Sequence, residues 1–233
     1  MPTRAGRSAL TMVEEPTSAS ATFWARGGKR AFDIVASILL LIVLSPLLLL
    51  VALIVKATSR GPVLFMQKRS GQHGRVFRLI KFRTMHGERK PDPKELVPLD
   101  HPEITPVGRI MRRLKIDELP QLMNVLRGEM SLVGPRPTLP DQVDAYDDFR
   151  RQRLLLRPGI TGLAQVYGST LMSWDERILY DIAYVRQCGL LMDIGILLRT
   201  VAVIPLGETR MTRPFESTKY AGYVIPPDHY PSY

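Results

Sequence analysis

Residues 34–55 read IVASILLLIVLSPLLLLVALIV, a run of twenty-two residues without a charge. A membrane-spanning helix needs about 20 apolar residues, so this run is long enough to cross a bilayer. A single spanning helix is the simplest interpretation of such a run. Two features of the sequence, a Ser-Pro pair at the centre and basic residues at both ends, favour a different topology.

Ser45 and Pro46 stand in the middle of the apolar run. Proline has no N–H for the carbonyl of Ile42 and crowds that carbonyl, and the Ser45 hydroxyl can bond back to Leu41. We therefore predict a break that leaves arms of about 16 Å and 13 Å, at 1.5 Å per residue. Neither arm alone crosses about 30 Å of hydrocarbon.

Basic residues flank the run on both sides. They are Arg26, Lys29 and Arg30 before it, and Lys56, Arg60, Lys68 and Arg69 after it. Lysines and arginines next to a membrane helix stay on the cytoplasmic side. A helix that enters and leaves through one face of the bilayer satisfies both flanks. The sequence thus predicts a re-entrant helix-break-helix with both flanks in the cytoplasm.

The predicted fold class is α+β and mainly helical, with the re-entrant segment attached to a small cytosolic catalytic domain. We divide the chain into a flexible N-terminal tail at 1–28, the membrane segment at 29–58, the cytosolic domain at 59–207 and a C-terminal tail at 208–233. Gly-bounded alternating residues after the membrane segment predict a short β-hairpin with Lys81 and Arg83 at its end.

Two later segments have helical spacing of apolar residues. Residues 107–129 predict a helix with a boundary or kink at Pro120. Residues 190–206 are apolar apart from Asp193 and Arg199. This second segment fits equally well an amphipathic helix on the bilayer surface and an ordinary core helix.

Cations are concentrated in residues 66–115, which hold thirteen Lys and Arg against five Asp and Glu. The local excess, 13 − 5 = +8, accounts for most of the net charge of +10. Such a field suits phosphates in a nucleic acid, an anionic lipid surface or a phosphorylated small molecule. A single cysteine, Cys188, excludes an internal disulfide, and the four histidines lack zinc spacing. A hard cation is thus a more plausible cofactor than zinc.

An acidic pair, Asp117 and Glu118, lies directly after this basic region in the stretch KIDELPQ at 115–121. Such a pair is most often a solvated helix face. Neighbouring helical residues point about 100° apart, which excludes a glycosidase-type carboxylate pair. Adjacent carboxylates backed by cations can instead share Mg²⁺ while one attacks a phosphorus atom. Downstream, Arg136 stands between Pro135 and Pro137, so its backbone is stiff and its guanidinium is held in place.

Five segments in order resemble the bacterial sugar transferase family, the monotopic polyprenol-phosphate phosphoglycosyl transferases. They are KRAFDIVASILLLIVLSPLLLL, GPVLFMQKRSGQHGRVFRLIKFRTM, ITPVGRIMRRLKIDELPQLMNVLRGEMSLVGPRP, RPGITGLAQ and DIAYVRQCGLLMDIGILLRT. The resemblance covers about residues 29–207. It implies transfer of a sugar-1-phosphate from a UDP-sugar to a membrane polyprenol (undecaprenyl) phosphate, with release of UMP. It also implies a place at the cytoplasmic face of the bacterial inner membrane.

The resemblance also assigns roles to residues. Asp117 would be the nucleophile that forms a phosphosugar-aspartyl intermediate, and Glu118 would hold Mg²⁺ with it. Lys81 and Arg112 would contact phosphates, to which we add Arg83 from its spacing. Pro135, Arg136 and Pro137 would form the nucleotide-side loop, and Ser45 and Pro46 the re-entrant break. Expected partners are the UDP-sugar, the polyprenol phosphate, membrane lipid and, as a possibility, a second copy of the chain.

The sequence departs from the family at two places that concern the sugar. Leu163 replaces the usual Trp, and YGS at 167–169 replaces NGR. An inactive scaffold of the same fold is therefore one alternative. A membrane-tethered nucleic-acid binder is another, suggested by Phe77 and Phe82 among the cations. The acidic pair would repel a nucleic-acid backbone, and no nucleic-acid partner is expected.

Overall fold

The computed structural model describes residues 24–86, 99–168, 172–206, 211–224 and 226. Most of them are helical, with two small two-stranded sheets, as expected for a mainly helical α+β protein. Residues 1–23 of the predicted N-terminal tail lie outside the described residues, as do 208–210, 225 and 227–233 of the predicted C-terminal tail and the internal segment 87–98.

The apolar run forms one helix, α1 (Lys29–Thr58), entered through a π-helical turn at Trp24–Gly28. In the described part of the chain, α1 is the one helix long and apolar enough to cross a membrane. The two predicted arms are not separate helices, because the chain stays helical through Pro46. The Ser45 hydroxyl donates to the carbonyl of Ile42 at 2.8 Å, not to Leu41. It thereby satisfies the carbonyl that proline leaves without a donor.

The predicted hairpin is confirmed. Strand β1 (Leu64–Ser70) pairs antiparallel with β2 (Val76–Phe82), and Phe65 stands opposite Lys81. Because opposite residues of an antiparallel pair share a face, Arg69 and Lys81 lie on the same side of the hairpin.

Residues 107–129 are interrupted earlier than the boundary or kink predicted at Pro120. Helix α2 (Pro106–Arg113) begins at an N-cap, where the Thr105 hydroxyl accepts from the backbone of Gly108 at 2.9 Å. Lys115 then adopts a left-handed conformation with φ 58°, which ends the helical path. The chain continues as a 3-10 turn at Ile116–Gln121 and helix α3 (Leu122–Leu126).

A second, parallel sheet follows. Strand β3 (Ser131–Val133) pairs with β4 (Gly159–Thr161). Between the two strands lie α4 (Pro140–Asp144), α5 (Asp148–Arg151) and a 3-10 turn (Gln152–Leu155). After β4 come α6 (Leu163–Tyr167), α7 (Trp174–Gln187), α8 (Leu190–Leu206) and 3-10 turns at Phe215–Ser217 and Ala221–Tyr223.

Helix α7 runs through the centre of the main core, where Tyr180, Ile182 and Tyr184 are fully buried. Residues of both predicted tails are buried as well. Trp24 is buried at one end of the chain, and Phe215, Tyr220 and Val224 are buried at the other. The folded unit thus begins before residue 29 and includes part of 208–233.

Helix α8 has a buried apolar face and an exposed apolar face. Ile196 and Val203 are buried in the core. The opposite face exposes large apolar side chains, namely Leu191, Ile194, Leu198 and Val201.

Both ends of α1 are fastened to the same globular unit. Near the first end, Arg30 donates to the carbonyls of Val125 and Leu126 at 2.6 and 3.0 Å. Near the last end, Arg83 donates to the carbonyl of Ser59 at 2.8 Å. The middle of α1 is exposed and apolar. The helix is therefore attached to the folded unit near both of its ends.

Candidate active site

The acidic pair lies in the 3-10 turn between α2 and α3. Asp117 is 6% exposed, and Glu118 is partly buried. Burial, followed by the charge of Glu118, raises the pKa of the Asp117 carboxyl, whereas the charges of Lys81, Arg112 and Lys115 lower it. The cations oppose the rise in pKa that burial causes, and a carboxylate beside cations is suited to act as a nucleophile toward an anionic phosphate.

Two predicted phosphate-contacting cations are brought to this pair. Burial lowers the pKa of Lys81, and the charges of Asp117 and Glu118 oppose that shift. Arg112 donates through Nε to the Thr84 hydroxyl at 2.9 Å, and the charge of Asp117 likewise opposes the lowering of its pKa by burial. Strand β2 and helix α2 thus each bring a cation to Asp117.

The predicted nucleotide-side loop reaches the same place from the end of β3. Pro135 and Pro137 are buried while Arg136 between them is exposed. Nη2 of Arg136 lies 3.7 Å from Oε1 of Glu118. The two prolines therefore present one guanidinium to the acidic pair.

Arg69 is a site residue that sequence reasoning did not identify. Burial, and then the charge of Arg136, lower its pKa to about 10, while Glu118 acts in the opposite direction. Its Nε atom is buried without a hydrogen-bond partner. The signal was available in part, because antiparallel pairing of the predicted hairpin puts Arg69 on the face of Lys81.

Asn124 is a second missed residue, and it joins the hairpin to the helix after the acidic pair. Its amide accepts from the backbone of Ile80 at 3.1 Å and donates to the carbonyl of Arg78 at 2.8 Å. The side chain is fully buried. It fixes the strand of Lys81 relative to the segment that carries Asp117.

The contacts of Arg83 are with the end of α1 and not with the acidic pair. It is 6% exposed and donates to the carbonyl and the hydroxyl of Ser59 at 2.8 and 2.7 Å. Arg83 follows the last residue of β2, where the chain turns toward α1, and its assignment to the phosphate-contacting cations stays a prediction. Its hydrogen bonds to Ser59 hold the last end of α1.

The donor set suits a hard cation. Within the described ranges, no group of three or more His, Cys, Asp or Glu could hold a metal ion. A hard cation at the acidic pair would take Asp117 and Glu118 as its protein ligands. Mg²⁺ fits such a site, because it binds through one or two carboxylates and takes its other ligands from water and substrate phosphates.

The cations around Asp117 and Glu118 can bind a diphosphate and neutralise its charge. Comparison with known proteins agrees with that chemistry: a model of the bacterial sugar transferase family matches residues 24–206. The chain belongs to the bacterial sugar transferase family. It is therefore a transferase, and the resemblance noted from the sequence is confirmed.

Three relatives illustrate the range of this sugar transferase family. The chain is 39% identical over 220 residues to the exopolysaccharide production protein ExoY of Sinorhizobium fredii, covering 88% of this chain and 97% of that protein. It is 43% identical over 180 residues to the uncharacterized sugar transferase EpsL of Bacillus subtilis, covering 77% and 88%. It is 47% identical over 186 residues to the UDP-glucose:undecaprenyl-phosphate glucose-1-phosphate transferase of Caulobacter vibrioides, covering 74% and 68%.

Proposed function

We propose that this sugar transferase moves a sugar-1-phosphate from a UDP-sugar to undecaprenyl phosphate and releases UMP. The observation that carries the proposal is the buried Asp117, which lies beside Glu118 and among the charges of Lys81 and Arg112. The names of relatives that act on UDP-glucose and undecaprenyl phosphate support this substrate class. The product would be the first lipid-linked intermediate of an exopolysaccharide, an O-antigen or a glycoprotein glycan.

The reaction proceeds in two displacements at one phosphorus atom. In the first, a carboxylate oxygen of Asp117 attacks the phosphorus that carries the sugar, the bond from that phosphorus to the bridging oxygen breaks, and UMP leaves with that oxygen. In the second, a phosphate oxygen of the polyprenol phosphate attacks the same phosphorus and releases the Asp117 carboxylate. One phosphoanhydride is broken and another is made, so the enzyme needs only to lower the barriers.

The cations supply the charge balance that this chemistry needs. Lys81, Arg112 and Arg136 bind and orient the diphosphate so that an anionic nucleophile can approach an anionic centre. Asp117 and Glu118 would hold Mg²⁺, which when bound further neutralises the phosphate oxygens.

We further propose that α1 is re-entrant and that the catalytic unit lies on the cytoplasmic face of the inner membrane. A span of about 30 Å would separate the two ends of the helix across the bilayer. The contacts of Arg30 with α3 and of Arg83 with Ser59 instead hold both ends to one folded unit. Asn124 ties the two anchoring regions together through β2 and α3.

A UMP-release assay with a panel of UDP-sugars and undecaprenyl phosphate tests the reaction. We expect release with at least one UDP-sugar, and a loss of at least about 10³-fold in Asp117→Asn, which lacks the nucleophile. Asp141→Asn, at an exposed position of α4, serves as the control and is expected to keep full activity. Thermal melting of both variants separates loss of chemistry from loss of folding.

The intermediate has its own test. After incubation with the donor alone, the intact mass of the protein is expected to rise by the mass of one phosphosugar, and undecaprenyl phosphate is expected to remove it. Turnover without any such mass increase contradicts the covalent route. Absence of UMP release with every donor would favour the inactive scaffold over the enzyme.

Cysteine labelling tests the topology. Ala31→Cys and Ala57→Cys place a thiol at exposed positions near the two ends of α1, in a background where Cys188 is replaced by serine. An impermeant maleimide added to intact cells is expected to label neither, and both are expected to react after permeabilisation. Labelling of one end in intact cells would indicate a spanning helix.

The remaining expectations stay predictions. Mg²⁺, contact with membrane lipid and a possible homodimer are among them. The nucleic-acid alternative is not carried further, because the cations that suggested it include Lys81, which lies beside the carboxylates of Asp117 and Glu118. Those charges would repel a nucleic-acid backbone.

A further inference from the structure

The backbone of the loop that carries Arg136 is held at four consecutive carbonyls. That of Pro135 accepts from the backbone of Gly159 at 2.9 Å, and that of Thr138 accepts from the backbone of Ser70 at 2.8 Å. The two between them accept from arginine side chains. Arg153 donates to the Arg136 carbonyl at 2.9 Å, and Arg69 donates to the Pro137 carbonyl at 3.5 Å.

Arg153 is itself buried and held from several sides. It is 2% exposed and forms a hydrogen-bonded ion pair with Asp181 of α7, which is 1% exposed. The Tyr146 hydroxyl accepts from its guanidinium at 2.7 Å. The rings of Tyr146 and Trp174 lie 5.9 and 5.3 Å from its central carbon. Few orientations of this guanidinium are compatible with these contacts.

A buried ion pair is weak evidence for stability, because the desolvation of both charges offsets their attraction. The position of this pair suggests another role. Arg153 of the pair donates to the backbone carbonyl of Arg136, whose side chain lies 3.7 Å from Glu118. A shift of about 1 Å in a substrate-binding group can cost about 100-fold in rate.

We infer that Arg153 and Asp181 are positioning residues that hold the backbone of Arg136 so that its guanidinium meets the donor at the acidic pair. The inference rests on the proposed function, since it gives these residues a part in that reaction. They act through Arg136 and do not themselves touch the reacting atoms.

The chain offers a matched control in the neighbouring ion pair. Arg150 pairs with Asp175 at 2.8 Å, and so it too joins the segment after β3 to helix α7. This pair is partly exposed, and Arg150 also pairs with Asp147. Asp175→Asn therefore weakens a tie between the same two parts of the fold without acting on the Arg136 carbonyl.

The test is a double-mutant cycle on full-length protein. Asp181→Asn, Tyr146→Phe and Asp175→Asn are each made in the parent and in an Arg136→Ala background, and kcat and KM for the donor are measured by UMP release. Tyr146→Phe removes one hydrogen bond from Arg153 and takes the place of Asp181→Asn in the cycle if that variant does not fold.

Asp181→Asn is expected to lower kcat/KM about 10- to 100-fold in the parent, as expected for a misplaced binding group. Tyr146→Phe is expected to lower it less, and both are expected to have little effect once Arg136 is alanine. Asp175→Asn is expected to leave kcat/KM unchanged both in the parent and in the Arg136→Ala background. Equal losses with and without the Arg136 side chain, or the same loss in Asp175→Asn, would overturn the inference.

A second readout does not depend on turnover. Hydrogen exchange of the peptide that contains Arg136 and Thr138 is expected to be faster in Asp181→Asn and Tyr146→Phe than in Asp175→Asn. Unchanged exchange would overturn the positioning role. Failure of the parent to release UMP would count against the proposed function alone, because the exchange comparison still decides whether the pair holds the loop.

Discussion

Arg136 and Glu118 meet at 3.7 Å between Nη2 and Oε1, although one belongs to the loop after β3 and the other to the 3-10 turn after α2. The guanidinium is about half exposed and the carboxylate mostly buried. Exposed ion pairs contribute at most about 1 kcal/mol to stability. The contact is thus better understood as the place where the loop after β3 meets the acidic pair.

Glu118 is expected to control the requirement for a divalent cation. In Glu118→Gln the Mg²⁺ concentration for half-maximal activity should rise about 10- to 100-fold, because one of two carboxylate ligands is lost. EDTA should abolish activity in the parent, and added Mg²⁺ should restore it. The exposed Asp141→Asn variant serves as the control, and an unchanged Mg²⁺ titration in Glu118→Gln would remove this residue from the metal site.

Arg69 is expected to serve the donor and not the stability of the fold. Arg69→Gln should lower kcat/KM for the UDP-sugar about tenfold or more, since it removes a charged hydrogen-bond donor beside Arg136. Its melting temperature should not fall by much, because the variant also relieves the burial of a partly unsatisfied charge. Lys68→Gln, at the exposed neighbouring position, is the control. Loss of stability together with activity would instead assign Arg69 to the packing of the hairpin.

Asn124 is expected to be important for stability and, through it, for activity. Asn124→Ala should lower the free energy of unfolding by about 1–3 kcal/mol, because the buried N–H of Ile80 loses its acceptor. The exposed neighbour Met123→Ala should change it by less than about 0.5 kcal/mol. Denaturant unfolding measures both, and equal stability of the two variants would contradict the assigned role.

Gly159 is expected to tolerate no side chain. A Cβ there would lie 2.1 Å from the backbone nitrogen of Gly134 and 2.2 Å from the carbonyl oxygen of Thr161, at the base of the loop that carries Arg136. Gly159→Ala should therefore cost about 1–3 kcal/mol of stability and displace the loop. Gly195 of α8 has open space at this position, and Gly195→Ala should instead stabilise the helix by about 0.5–1 kcal/mol. Thermal melting compares the two.

Cys188 is expected to react slowly with thiol reagents at neutral pH. Burial, and then the charge of Asp193, raise the pKa of its thiol to about 11, and the thiolate is the reactive form. The rate of alkylation by iodoacetamide should rise with pH until about 11. Asp193→Asn removes a negative charge and should move the midpoint of the pH dependence of alkylation to lower pH. Asp175→Asn should leave that midpoint unchanged.

The sequence alone was sufficient for the features that depend on local composition. Residues 34–55 could be predicted to form an apolar helical segment because the run holds twenty-two uncharged residues, which is enough to cross a bilayer. The hairpin followed from alternation and glycine boundaries, and the acidic pair at 117–118 was conspicuous directly after a basic region. The family could be recognised from five segments in order.

The local patterns did not predict where side chains meet. Spacing placed Arg83 with the phosphate-binding cations, but the turn after β2 directs it to Ser59. Helical periodicity continued through the acidic pair, whereas the left-handed Lys115 ends α2 first. The sequence did not distinguish Arg69 from the many other cations. Its position beside Arg136 depends on how the hairpin and the loop after β3 pack together.

The sequence by itself determined the family, the long apolar run at 34–55 and the position of the acidic pair at 117–118, because each is written in contiguous stretches. Only the tertiary structure decided which cations surround Asp117, that both ends of α1 are held by one unit, and that Arg153 and Asp181 lie behind Arg136. These arrangements depend on contacts between residues far apart in the chain. Such contacts are selected by the packing of the whole core around α7, and no local pattern records them.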